Sequence, residues 1–101
     1  MWRHGDVFIE AVKSIPKAAK QLPHCVLAEG EITGHCHEIR EPDTAELWRS
    51  GNSLYLRVLA KRATVIHQEH DEIQLPKGHY RVWIQREYEP KAPQRYRRVV
   101  N

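Results

Sequence analysis

The chain of 101 residues has no apolar run longer than a few residues, far short of the ~20 that a bilayer-spanning helix needs. Its opening stretch, Met1-Trp2-Arg3-His4-Gly5-Asp6, has no apolar signal core. The expectation is a soluble, cytoplasmic protein without membrane contact. Cysteine is scarce: Cys25 and Cys36 stand alone, neither at CxxC spacing, and are expected as reduced thiols. Several catalytic signatures are also missing. There is no HExxH zinc helix, since His67-Gln68-Glu69-His70 lacks the i, i+4 spacing that puts two ligands on one helix face, and no GxSxG elbow, phosphate loop or GxGxxG turn. Internal repeats and low-complexity stretches are absent.

What remains is an ordinary globular composition, 41% hydrophobic and 29% charged, far from that of disordered chains. At this length one domain can bury roughly 60 to 65% of the surface its unfolded chain exposes. The net charge of +3 is unevenly placed. Residues 86–101 hold Arg86, Lys91, Arg95, Arg97 and Arg98 against Glu87 and Glu89, so the body is neutral and the tail basic.

Apolar residues alternate with period two almost throughout, cut by Gly, Pro, Asn and Asp at strand-like intervals. This predicts an all-β fold: a single-domain antiparallel β-sandwich or small barrel of about seven short strands over residues 1–88, with residues 89–101 as a basic tail or edge segment. Asp6 to Val12 reads as the first strand, and Lys17-Ala18-Ala19-Lys20 allows one helical turn at most. Cys25 to Ile39 reads as a strand with Gly30 and Gly34 marking a bend or bulge. Ser50-Gly51-Asn52 is a tight connection between Ala45–Arg49 and Ser53–Leu59. Ala63–Gln68 and Glu72–Leu75 are two more short strands, and Leu75-Pro76-Lys77-Gly78 turns the chain into His79–Glu87.

Seven histidines concentrate the chemistry: 4, 24, 35, 37, 67, 70 and 79. On a strand, residues i and i+2 point the same way, so His35 and His37 project side by side, while Cys36 between them points to the other face, away from any thiolate–imidazole chemistry. Two such imidazoles can share a divalent ion at about 2.0 to 2.1 Å per Zn–N bond if the fold supplies a third ligand. The segment His67-Gln68-Glu69-His70 is the obvious source. An ideal strand puts His67 and Glu69 on one face and His70 on the other, which favours His67 unless a turn begins there. His70 or Glu41 is the candidate fourth ligand, and this donor set suits Zn, Ni, Mn or Fe without choosing among them. The simpler alternative is that the imidazoles only hydrogen-bond neighbouring carboxylates such as Glu31, Glu38 or Glu69.

Locally these residues resemble the cupin family, in which HxH followed by Glu lies on one strand pair and a PxG turn lies near another histidine. Here the elements are His35-Cys36-His37 with Glu41, and Pro76-Lys77-Gly78 with His79; the resemblance implies a cupin-like barrel with a metal site. His79 follows Gly78 directly, whereas the cupin histidine follows its turn by a few residues. More broadly, Leu27-Ala28-Glu29-Gly30-Glu31-Ile32-Thr33-Gly34-His35-Cys36-His37, His67-Gln68-Glu69-His70, Leu75-Pro76-Lys77-Gly78-His79-Tyr80 and Gln85-Arg86-Glu87-Tyr88 look like a group of small uncharacterised bacterial and mobile-element proteins, which implies no activity.

A second candidate region joins Arg81 and Trp83, on the outer side of the last strand, with Arg95, Tyr96, Arg97 and Arg98. Arginines among aromatics can bind single-stranded nucleic acid, but the neutral body argues against a dedicated nucleic-acid domain. Trp83, Tyr55 and Trp48 read better as a subunit interface, where Trp, Tyr and Arg are enriched, making a homo-oligomer the expected assembly. A metal-based site would in addition accommodate a small polar ligand.

Overall fold

The alternating pattern is realised as antiparallel strands. A computed structural model of the chain describes residues 1–29 and 34–85. Among these lie eight strands: β1 (Trp2–His4), β2 (Val7–Val12), β3 (Lys20–Gln21), β4 (Val26–Glu29), β5 (Cys36–Ile39), β6 (Ala45–Ser50), β7 (Ser53–His67) and β8 (His70–Ile84). The helical content of the described residues is one 3-10 turn, Pro42–Thr44. None of it is long and apolar enough to cross a membrane. The strands run in the order β1-β2-β8-β7-β5-β4, with β6 also on β7 and β3 on β6.

Strand β7 is the spine. β8 follows one of its edges, while the other carries β6 along Leu54 to Val58 and β5 at Val65 and Ile66. Four short strands were expected over this region, with a turn at Pro76-Lys77-Gly78. Two strands of 15 residues take their place, because the punctuating residues are absorbed in a bulge. Pairing slips between Val58↔Gly78 and Arg62↔Pro76, where Leu59, Ala60 and Lys61 oppose Lys77 alone.

The apolar pattern explains why the bulge is there. Leu56 and Val58 are buried on β7, and so are Ala63 and Val65; on β8 Leu75 is buried, and then Tyr80 and Val82. Each strand changes phase by one residue, which in a regular strand would put one of its two sets in water. The bulge resets the phase and bends the hairpin at the same point. Pro76, which has no N–H to donate, sits beside it.

The bend brings both ends of β8 to one place. His4 donates from Nε2 to the Asp71 carbonyl at 2.8 Å, and the Gln85 amide donates to the Asp6 carbonyl at 2.8 Å. β1 and the Gly5-Asp6 turn that follows it therefore reach both ends of the same strand. The result is a curled antiparallel sheet, a half-barrel in a compact single domain, around one core that includes Val7, Ile9, Leu27, Leu47, Leu56, Val65 and Leu75. Each of these large side chains contributes roughly 1.5–3 kcal/mol on burial. Trp2 closes one end, meeting the Tyr80 ring edge-on at 5.5 Å.

Two further expectations change. The Cys25–Ile39 segment is an antiparallel pair, β4 with β5, instead of one bent strand. β1, unforeseen, pairs with β2 through Trp2↔Ile9 and His4↔Val7. Gly30 and Thr33, and the tail from Arg86 onward, lie outside the described residues.

Candidate metal centre

The hairpin tip decides which histidines meet. β7 ends at His67 and β8 begins at His70, so the two are cross-strand partners on one face around the turn Gln68-Glu69. Just before them Asp71 and Glu72 oppose Ile66 alone, a two-against-one bulge that turns His70 to the His67 side. On the other edge of β7 the pairing Glu38↔Ile66, carried one residue further, sets His37 against His67. Three adjacent strands thus present one imidazole each in a row: His37, His67 and His70. Their ligand atoms lie within 4.8 Å of one another. Ring centroids are 4.3 Å apart for His37–His67 and 4.7 Å for His67–His70.

His4 packs over this row from β1. Its ring centroid is 4.9 Å from His37 and 5.7 Å from His70, and it is as buried as His37. A carbonyl only accepts, so the bond to Asp71 fixes a proton on His4 Nε2. In the neutral ring Nδ1 is then a bare acceptor, and it faces Nδ1 of His37 at 2.9 Å. The proton in that bond belongs to His37, whose Nε2 is left with a free lone pair. This is how outer partners orient metal-binding imidazoles: one nitrogen donates outward and the other is presented to the ion.

The electrostatics favour the neutral form of His37, His4 and His67. Burial, followed by the repulsion of His67 and His4, holds His37 down at about 4. His4 is lowered chiefly by burial, and His67 by burial and then by His70 and His35. Neutral imidazole is the form that ligates.

The donor chemistry fits a borderline divalent ion, with one adjustment. His67 Nδ1 accepts the Glu69 amide at 2.9 Å, so its proton sits on Nε2. Ligation by either nitrogen disturbs that arrangement, at about one neutral hydrogen bond, roughly 0.5–1.5 kcal/mol. The apparent binding energy of a structural zinc site, about 10–16 kcal/mol, is far larger. Closing the row onto one ion would fall to His67 and the exposed His70, since His37 is buried and held by His4.

The other candidates are placed as follows. His35 lies just before β5, its ring 5.7 Å from His67, with Nδ1 3.7 Å from Glu69 Oε2; it borders the row without entering it. Glu41 is engaged elsewhere, accepting the Thr64 amide at 3.1 Å and the Thr64 hydroxyl at 3.0 Å, and these bonds lower its carboxyl. His79 is on the opposite side of the sheet, with Nδ1 3.2 Å from the Lys13 carbonyl oxygen. Cys36 points away from the row, its thiol pushed up by burial and then by Glu38. His4 and Asp6 were missed. The signal for them was Gly5-Asp6 between Trp2-Arg3-His4 and Val7-Phe8-Ile9, a two-residue hairpin connection.

Opposite the core, a second feature is assembled. Arg3 lies over the Phe8 ring at 5.4 Å, Phe8 stacks with Trp83 at 5.7 Å, and Arg81 lies over Trp83 at 5.1 Å. Arg57 covers Trp48 at 5.3 Å and is paired to Glu46 at 3.3 Å. Arg95, Tyr96, Arg97 and Arg98 lie outside the described residues.

Fold and site together define a small curled-sheet domain with a histidine row where the sheet closes on itself. The chain belongs to the family described as a domain of unknown function, DUF8820, whose model matches residues 3–85. No curated protein and no solved structure matches it.

Proposed function

We propose that the domain binds one divalent transition-metal ion through His37, His67 and His70, with zinc, nickel, manganese and iron all compatible with a nitrogen donor set. The observation that carries this is the convergence of one ligand atom each from His37, His67 and His70 within 4.8 Å of one another, with the buried His37 held by His4. An ion there would tie β5 to both strands of the β7–β8 tip. Elemental mass spectrometry of untagged protein tests the reading, together with melting temperatures after adding Zn, Ni or Mn. Near-stoichiometric metal and a raised melting temperature are expected; sub-stoichiometric metal with no thermal shift would remove the proposal.

The outer face supports a second reading, an interaction module. The stack of Arg3, Phe8, Trp83 and Arg81 presents aromatic and guanidinium groups typical of subunit interfaces, and a second copy of the chain is the partner it favours. Light scattering at micromolar concentration should show an oligomer that Trp83→Ala dissociates, and a monomer would count against it. Salt-sensitive binding of a single-stranded oligonucleotide, lost on deleting residues 94–101, would favour nucleic acid instead.

A further inference from the structure

We infer that the Asp6 carboxylate is the fourth ligand of this centre, so that the ion is held in a closed His3Asp tetrahedron and serves as a clasp for the curled sheet. This rests on the metal reading above and adds to it a ligand and a role.

Asp6 Oδ1 lies 3.6 Å from His37 Nε2. That is close to the separation of two ligand atoms on one tetrahedral ion, about 3.3 Å for bonds near 2.0–2.1 Å. The nature of the contact matters more than its length. His37 donates its one proton through Nδ1 to His4, so Nε2 and the carboxylate face each other as two acceptors with no hydrogen between them. Such a contact is repulsive by itself, and a cation placed between the two makes it attractive.

Two alternatives for the fourth position are committed, and a third lies at the border of the row. His4 uses both nitrogens, on His37 and Asp71, and Glu41 spends both oxygens on Thr64. Glu69 faces His35. Asp6 is held at the site by its own backbone, whose carbonyl accepts the Gln85 amide, while its side chain is 60% exposed and free to turn. Its position in the Gly5-Asp6 turn means that ligation fastens β1 and β2 to β5 and to the hairpin tip, the strands that close the half-barrel. With all four positions filled by protein the ion lacks the open site that metal catalysis needs, and the role is structural.

Cobalt(II) substitution in the full chain tests this through its visible spectrum. The expected result is an intense four-coordinate spectrum in the wild type that excess thiocyanate leaves unchanged. Asp6→Asn and Asp6→Ala should bind cobalt at least about tenfold more weakly, a loss no smaller than that for outer-shell partners, and Asp6→Ala should give bands that thiocyanate shifts. A thiocyanate-sensitive wild-type spectrum, or an Asp6→Ala protein with wild-type affinity and bands, would overturn the fourth-ligand assignment while leaving the histidine site standing. Absence of cobalt bands in the wild type, or bands that survive His37→Ala, would instead overturn the histidine site and this inference with it. Melting curves of the metal-free Asp6 variants, expected to match wild type, separate lost ligation from lost folding.

Discussion

Nδ1 of His4 and Nδ1 of His37 lie 2.9 Å apart, and the proton between them comes from His37. That single bond sets which nitrogen of His37 is available. In the proposed site His4 would therefore act on the ion without touching it. His4→Ala should weaken zinc binding by about 10–100-fold although every ligand is retained, the usual cost of removing a partner that fixes a tautomer. Competition titration against a chromophoric chelator measures it. Wild-type affinity in the variant would show that His37 is oriented by packing alone.

The metal-free protein should lose stability as pH falls from about 6.5 toward 4. Burial, and then His67 and His4, place His37 at about 4 in the folded state against an ordinary 6.5. Between those values the unfolded chain takes up a proton here that the folded chain refuses, so the unfolding free energy rises with pH across the window and levels off above it. The full span is worth on the order of 3 kcal/mol, and the lowered His4 and His67 act in the same direction. Urea midpoints across this range, with chelator present, check the slope. His37→Gln should make it shallower, and a flat wild-type profile would contradict the account.

Gly5→Ala should disturb fold and site together. Gly5 has a φ of 64°, and a Cβ there would stand 2.8 Å from His70 Nε2 and 3.1 Å from His37 Cε1. The backbone cost is about 1–2 kcal/mol. The exposed His70 ring can swing away from the new methyl, which takes it out of the row. A lower melting temperature of the metal-free protein combined with weaker zinc binding is expected; unchanged affinity would mean that His70 is not a ligand.

Glu41→Ala separates a structural carboxylate from a ligating one. Its partner Thr64 is buried at 2% exposure and would lose two bonds from the Glu41 side chain, for a destabilisation of roughly 1–3 kcal/mol. Metal affinity should stay at the wild-type value. A tenfold loss of affinity in isothermal titration would return Glu41 to the ligand set.

Period-two patterning made the all-β class and the Ser50-Gly51-Asn52 reversal readable, since Ser50 pairs with Ser53 as the Gly51-Asn52 turn requires. The bulge was also written in the residues, as a change from even to odd apolar positions between Val58 and Ala63 and back between Leu75 and Tyr80. The strong turn chemistry of Pro76-Lys77-Gly78 masked it, because the same residues serve a reversal or an irregularity within a strand. At the site, His35 and His37 sharing a side followed from strand geometry. Bringing His70 onto that side needed a turn at Gln68-Glu69 together with an extra residue in β8, and neither can be told from a continuing strand by alternation alone. His4 came from the other end of the chain, 67 residues from its partner Asp71, a pairing set by the bend of the hairpin and invisible to local pattern.

That separation bears on the order in which the molecule assembles and opens. β7 and β8 join around a two-residue turn and can zip together early, whereas docking the β1–β2 hairpin on β8 means closing a loop of most of the chain, an entropic cost met late. The last contact made is the first released, so in metal-free protein the amides of β1 and of the Gly5-Asp6 turn should exchange with deuterium well before those in the middle of β7. For the proposed metal site, an opening that admits solvent there would also be a way in for the ion.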